Sequence, residues 1–251
     1  MSGFYSLFYK EVVRFWKVGF QTLLAPLIST LLYLLVFSSV LGKHVEVFKG
    51  VGYLPFLVSG LAMMALLQNA FANSSSSLIQ SKITGNIIFL LLSPVSYREM
   101  FLAYVAASAI RGTLVGFGIF LFTFQAVSIP IIHPLWAFAF SLCGCVIMGA
   151  MGIVAGMWAE KFDQLASFQN FIVLPMTFLS GVFYSIDSLP PFWKEVSKLN
   201  PFFYLMDGFR YGLFGVSESD PAKGLFVVSI CLAVVSFLSL GLLKSGYKLR
   251  N

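Results

Sequence analysis

Six long stretches almost free of ionisable side chains set the terms for this chain. They cover residues 18–42, 50–81, 100–132, 134–159, 164–186 and 224–243, and only Arg111 interrupts one of them. Each reaches or exceeds the roughly 20 residues that carry an α-helix across about 30 Å of hydrocarbon. Gln68, Asn69, Asn73 and the run Ser74–Ser77 predict that the second helix stops near 77. The spans are therefore expected at 18–42, 53–77, 100–126, 134–158, 164–186 and 224–243. The remaining composition agrees: 59% of the 251 residues are apolar and 10% charged, against about 25% charged in soluble domains. So much apolar surface needs lipid as its solvent. Disorder, a secreted disulfide scaffold and a nucleic-acid module are excluded, and the ~10-residue alternating segments of a β-barrel are missing.

The loop cations give the orientation. With the N-terminus inside, the cytoplasmic side holds Lys10, Arg14, Lys17, Lys82, Arg98, Lys161, Lys244, Lys248 and Arg250. The outer side holds Lys43, Lys49, Lys194, Lys198, Arg210 and Lys223. Nine against six places both termini in the cytoplasm by the positive-inside rule. The formal charge of +6 is thus topological and implies no nucleic-acid partner. The first apolar run is too long for a signal-peptide core and lacks a small-residue cleavage site, so it reads as a retained span. Cys143, Cys145 and Cys231 sit in apolar runs, and His44 and His133 stand alone; no metal or disulfide framework is expected.

Three segments are neither loop nor span. In residues 1–17, Phe4, Leu7, Phe8, Val12 and Phe15 share a helical face, with Ser6, Lys10, Arg14 and Lys17 mostly opposite. This is an amphipathic helix in the inner interface, either an anchor or a mechanical part. Between spans two and three, Ile79, Ile83, Ile87, Leu90 and Leu91 recur at helical spacing until Ser93-Pro94 ends the run. Such an apolar cytoplasmic helix needs a cover: a partner, the inner leaflet or its neighbours. Before the last span, Pro190-Pro191 and Asn200-Pro201 predict two short helices, about 191–199 and 201–213, too short to span. They carry Phe192, Trp193, Phe202, Phe203, Tyr204, Phe209, Tyr211 and Phe214, ordinary interfacial anchors by type. Asp207 and Arg210 stand i,i+3, the spacing of a local ion pair.

Within the spans, Gly112–Gly116 and Gly152–Gly156 are spaced for close helix approach, inside the chain or between subunits. Pro26 and Pro175 are expected to kink spans one and five. Arg111, the one ionisable residue inside a span, must face protein or water; it is either a snorkelling structural cation or a contact for a substrate phosphate. No P-loop pattern occurs, no intramembrane acid stands ready for proton relay, and no catalytic cluster is visible. Any energy source lies in another chain, and the chain itself is not read as an enzyme and holds no cofactor.

The sequence from Leu174-Pro175-Met176-Thr177 through Gly181-Val182-Phe183-Tyr184, then Leu189-Pro190-Pro191-Phe192-Trp193 and Leu199-Asn200-Pro201 to Gly208-Phe209-Arg210-Tyr211-Gly212, resembles the ABC-2 type permeases. These are membrane subunits of bacterial ATP-binding-cassette exporters, and the resemblance includes Leu91-Leu92-Ser93-Pro94. Within the family the chain is similar to the YadH-like permeases, near the nodulation lipo-oligosaccharide exporters. The resemblance implies an all-α, six-span protomer of the inner membrane that forms a homodimer over two P-loop ATPase subunits, which bind Mg-ATP. Residues 1–17 become the interfacial connecting helix, and 82–92 the coupling helix, with Lys82, Ile83, Ile87, Leu90 and Leu91 at the ATPase contact. Because Asn86-Ile87-Ile88-Phe89 lacks the acids common in relatives, the contact is either more apolar or shifted toward Lys82, Arg98 and Glu99. Residues 190–215 become an outer re-entrant pair, with Pro190, Pro191, Trp193, Asn200, Pro201, Asp207, Arg210 and Tyr211 as its gate. Spans one, two and five would line the route. The implied cargo is amphipathic: glycolipid, lipo-oligosaccharide, polysaccharide or drug, with membrane lipids as neighbours. The competing reading, a non-transporting scaffold or lipid-modifying protein, would need a polar catalytic cluster.

Overall fold

The computed structural model describes residues 3–41, 46–48, 50–123 and 127–248. The expected end of span one at Gly42, the cations Lys43 and Lys49, His44, residues 124–126 of span three and Arg250 lie outside the described residues. The chain runs α1 (Gly3–Lys17), α2 (Gly19–Leu41), a short antiparallel hairpin of β1 (Glu46–Phe48) and β2 (Val51–Gly52), then α3 (Tyr53–Ile83), α4 (Ile87–Leu92) and α5 (Tyr97–Thr123). It continues through α6 (Pro134–Trp158), α7 (Phe162–Phe168), a π-turn (Gln169–Val173), α8 (Leu174–Phe178), α9 (Pro191–Leu199), α10 (Pro201–Phe214) and α11 (Pro221–Ser245).

Among the described residues, α3, α5, α6 and α11 are each long and apolar enough to cross a bilayer. α2 joins that set only together with α1, from which it turns by 54°. The fifth expected span is altered. Helix persists from Phe162 but stops at Phe178, short of 186, and it widens into a π-turn just before Pro175. Pro175 has no N–H to donate back, and its ring pushes against the carbonyl one turn earlier, so an extra residue is accommodated there. Gly181, at φ +81°, then turns the chain away.

The second expected span is longer than its polar run suggested. α3 continues to Ile83 because the polar side chains find partners. Ser74 Oγ donates to Gly149 O at 2.7 Å, Ser75 Oγ to Phe71 O at 2.8 Å, and Ser77 Oγ to Glu11 Oε1 at 2.7 Å. Buried hydroxyls so satisfied carry no desolvation penalty large enough to end a helix.

α3 is the hub, packed by α5 on one side and α6 on another, with Phe56, Leu57, Met63, Leu67, Phe71 and Leu78 fully enclosed. Both glycine pairs serve this packing within the chain. A Cβ on Gly112 would stand 2.8 Å from Leu66 O, and one on Gly152 would stand 2.5 Å from Phe71 O. In lipid, where burial gives little drive between helices, such close backbone approach supplies the dispersion contacts that hold them.

Candidate functional site

The alternation of helix directions brings Lys82, Arg98 and Lys248 to one end. Lys82 at the foot of α3 donates to Met157 O at 2.8 Å and Ala159 O at 2.5 Å, while Lys248 after α11 pairs with Glu160 at 2.6 Å. Lys82, expected at a partner contact, is therefore turned inward as a cap on α6, where a cation suits the helix C-terminus. Glu99 is committed likewise. The Glu99 carboxylate accepts from Ser96 N and Ser96 Oγ, each at 2.9 Å, while Glu99 N donates to Ser96 Oγ at 3.2 Å, a capping box that starts α5. Arg98 stays exposed beside Tyr97.

Between α3 and α5 the chain turns at Gly85, φ +73°, and forms α4. Ile87 is buried against Leu7, Leu78 and Met100, and Leu90 is half-buried. The outward face holds Ile88, Phe89 and Leu92, with Phe89 74% and Leu92 78% exposed, flanked by Ile83 and Leu91. Ile88, Phe89 and Leu92 were not singled out in the sequence, because Ile87–Leu92 is apolar throughout and its periodicity carries no phase. Expected range 82–92 thus divides: Lys82 and Ile83 belong to the last turn of α3.

α1 lies against α5 and α3 at this same end. Its buried stripe is Leu7, Glu11 and Phe15, so one of its three inward positions is an acid at 0% exposure. Glu11 is answered by Arg14 Nε at 3.0 Å, Lys10 Nζ at 3.5 Å and Ser77 Oγ. Arg14 in turn donates Nη2 to Asn73 O at 2.7 Å and to Asn73 Oδ1 at 3.1 Å. A cleft of about 570 Å³ opens between α1 and α4, lined by Lys10, Arg14, Ser77, Gln80, Thr84 and Asn86 among others. One turn of α3 above Asn73, Asn69 Oδ1 accepts from Arg111 Nη2 at 3.3 Å, while Arg111 Nε is buried without an acceptor.

At the opposite end Arg210 is 4% exposed. It donates Nη1 to Gly181 O at 2.9 Å, Nη2 to Val182 O at 3.1 Å and Phe56 O at 3.4 Å, and Nε to Ser59 Oγ at 3.3 Å. Its guanidinium lies 3.5 Å from the Phe56 ring centroid. Gly60 makes room, since a Cβ there would meet Val182 O at 2.4 Å. The i,i+3 pair with Asp207 does not form. Asp207 accepts instead from Glu218 N at 2.7 Å, Ser219 N at 2.9 Å and Ser219 Oγ at 2.7 Å, closing the loop before α11. Burial pushes the carboxyls of Asp207 and Glu218 above their ordinary range.

The two short helices stand where Pro191 and Pro201 begin them, and α10 runs one residue past 213. Asn200 caps α10 through Phe202 N at 3.0 Å and ties it to Met176 O at 2.6 Å. Tyr211 stacks on His133 and meets Trp136 edge-on. Pro190 lies at the cap of α9, and Trp193 is exposed beside Phe192. Gly208 and Gly212 were missed, though they share the spacing of the other glycine pairs. A Cβ on Gly208 would stand 2.2 Å from the Phe140 ring, and one on Gly212 2.3 Å from Ala137 N. α10 is thus pressed against α6 as a core element. Beside it, α3, α5 and α6 leave an apolar crevice of about 780 Å³, lined in part by Leu66, Phe117, Phe138, Phe209 and Leu213.

No group of His, Cys, Asp and Glu among the described residues is arranged to hold a metal. The architecture is a membrane bundle with an apolar external helix at its basic end, and the relatives agree with it. Residues 2–214 match the family model of the ABC-2 type transporter. The chain is 34% identical over 248 residues, 98% of its length and 96% of the relative's, to "Inner membrane transport permease YadH" of Escherichia coli (strain K12). It is 24% identical over 231 residues, 91% of its length and 87% of the relative's, to "Nodulation protein J" of Rhizobium meliloti (strain 1021). The chain belongs to the ABC-2 type transporter family, as a multi-pass membrane permease that is a transport subunit and not itself an enzyme.

Proposed function

We propose that this permease is the membrane half of an ATP-driven exporter of the bacterial inner membrane, working as a homodimer over two separate P-loop ATPase subunits that carry the Mg-ATP. The observation that carries this reading is α4. An exposed run of Ile88, Phe89 and Leu92 at the basic end has no cover among the described residues. Rimmed by Arg98 and the basic face of α1, it has the makeup of a docking surface, with aromatic and aliphatic anchors inside a polar margin. With both termini cytoplasmic, that surface faces the compartment that holds ATP.

ATP binding would draw the ATPase pair together and pull on α4. Its inward side is fixed through Ile87 to Leu7 of α1 and Leu78 of α3, so movement there passes into both helices. The exposed apolar faces of α2 and α11, exemplified by Leu32 and Phe237, are open to lipid and to the second protomer. The cargo is an amphipath such as a glycolipid or lipo-oligosaccharide, and α9 and α10 form a re-entrant cap on the outer side. Nucleotide drives export only through the unequal affinity of the two conformations for cargo and ATPase.

The test is co-purification from native membranes followed by an ATPase assay in nanodiscs. A stoichiometric P-loop ATPase with vanadate-sensitive turnover is the expected result. Its absence from membranes that express such ATPases would overturn the reading in favour of a scaffold.

A further inference from the structure

Asn69, Asn73, Ser76 and Gln80 recur on α3 at i, i+4, i+7 and i+11, one polar stripe from the basic end into the bundle. Arg14 sits on Asn73 and Arg111 on Asn69, so the two guanidinium groups hold asparagines four residues apart, roughly 6 Å along the stripe. Arg14's positive charge bears on Arg111. The acid nearest this stripe, Glu11, is already held by Arg14, Lys10 and Ser77. Among the described residues, Arg111 enters no ion pair, its only hydrogen bond is the 3.3 Å contact to Asn69, and its Nε has no acceptor. Cations inside a bilayer are ordinarily paired, because neither lipid tails nor a lone amide replaces the lost water. Arg210 meets that requirement fully; Arg111 does not.

The missing partner has a way in. The cleft between α1 and α4 opens at the basic end of the bundle and reaches Arg14. Arg111 is half-buried, on the same face of α5 as Gly118, whose neighbour is Leu23 of α2. It therefore looks toward the elbow of α1 and α2, where an amphipath of the inner leaflet can lay its tail against α2 and its headgroup in the stripe.

We propose that Arg111, with Arg14 and Asn69, binds the phosphate group of an anionic amphipathic lipid entering from the inner leaflet. A guanidinium is the side chain suited to this, since its parallel N–H groups match two phosphate oxygens. The phosphate has two possible sources, the headgroup of the exported cargo or a resident inner-leaflet phospholipid. The first source rests on the exporter reading above; the binding site does not.

The purified full chain is titrated in detergent with dioleoyl-phosphatidylglycerol and, separately, with dioleoylglycerol, and retention is read by native mass spectrometry. The wild type is expected to hold one phosphatidylglycerol per protomer and to discriminate against dioleoylglycerol. Arg111→Gln should lower retention at least about tenfold, the loss of one charge-assisted contact, and Arg111→Lys should restore part of it. Asn69→Asp decides the matter if Arg111→Gln fails to fold. It places a carboxylate beside Arg111, so it should abolish retention while melting no lower than the wild type. Equal retention by Asn69→Asp and the wild type would overturn the proposal. In the ATPase complex, release of bound phosphatidylglycerol on vanadate trapping identifies the site as the cargo's, and continued retention as a resident lipid's. Absence of ATPase turnover in that complex would count against the exporter reading and leave the detergent result standing.

Discussion

Arg210 and Arg111 are the same side chain placed at two depths of one bundle, and they are treated in opposite ways. Arg210 reaches four oxygens and the face of Phe56, in a space kept open by Gly60. Arg111 has one long contact and an idle Nε. The surroundings follow suit. The outer end is closed by backbone approaches at Gly208 and Gly212 and by Asp207 knitting the loop to α10. The basic end exposes Phe89 and Leu92, and keeps an open cleft. A machine driven from one side needs this asymmetry: a rigid frame at one end, and unspent interactions at the end where partners act.

The difference can be broken by substitution. The largest effect is expected from Gly212→Leu, whose side chain must enter the backbone of α6 at Ala137; it should cost more than about 3 kcal/mol and leave little heat-stable protein in detergent. Arg210→Ala follows, orphaning carbonyls of Gly181 and Val182 at about 3 kcal/mol, with membrane insertion intact and the melting temperature lowered. Arg210→Lys should recover only a fraction, because an ammonium cannot span the same acceptors. Normal melting and transport by Arg210→Ala would remove the contrast on which this account of the outer end rests.

At the basic end, Glu11→Gln should cost about 1–2 kcal/mol, since Arg14 and Ser77 keep a neutral acceptor in place of a charged one. Thermal unfolding beside wild type measures it. The smallest effect concerns the tail. Hydrogen bonding to Lys248 holds the Glu160 carboxyl below its ordinary range, and Glu160 holds Lys248 above its own. The contribution is therefore present above the usual carboxylate range and lost as pH falls through the lowered value; it is lost again at alkaline pH as Lys248 deprotonates. Hydrogen-exchange protection at residues 245–248, taken relative to the intrinsic rate, should fall at both extremes, and Glu160→Gln should abolish the acid limb.

The sequence made the long helices legible because lipid imposes a strict rule, the absence of charge, over about 20 residues at a time. The short helices were legible because Pro191 and Pro201 mark their starts. What failed was everything that depends on a partner distant in sequence. The polar run of α3 looked like a helix end because its acceptors, Gly149 O and Glu11, lie on other elements. Asp207 and Arg210 looked like a pair, yet each found better partners elsewhere. Glu11, an acid in an amphipathic segment, carries no local mark of burial and yet is the buried anchor of α1. In α4, six apolar residues in succession concealed which side faces out.

On the function proposed above, the outward face of α4 takes up the ATPase. Phe89→Asp adds a charge to a side chain that is 74% exposed, so it should leave the permease's own melting temperature unchanged. The decisive measurement is the amount of ATPase retained when tagged wild-type and Phe89→Asp permease are purified in parallel from the same membranes. At least a tenfold loss is expected with the variant, together with loss of vanadate-sensitive turnover. Equal retention and equal turnover would contradict it.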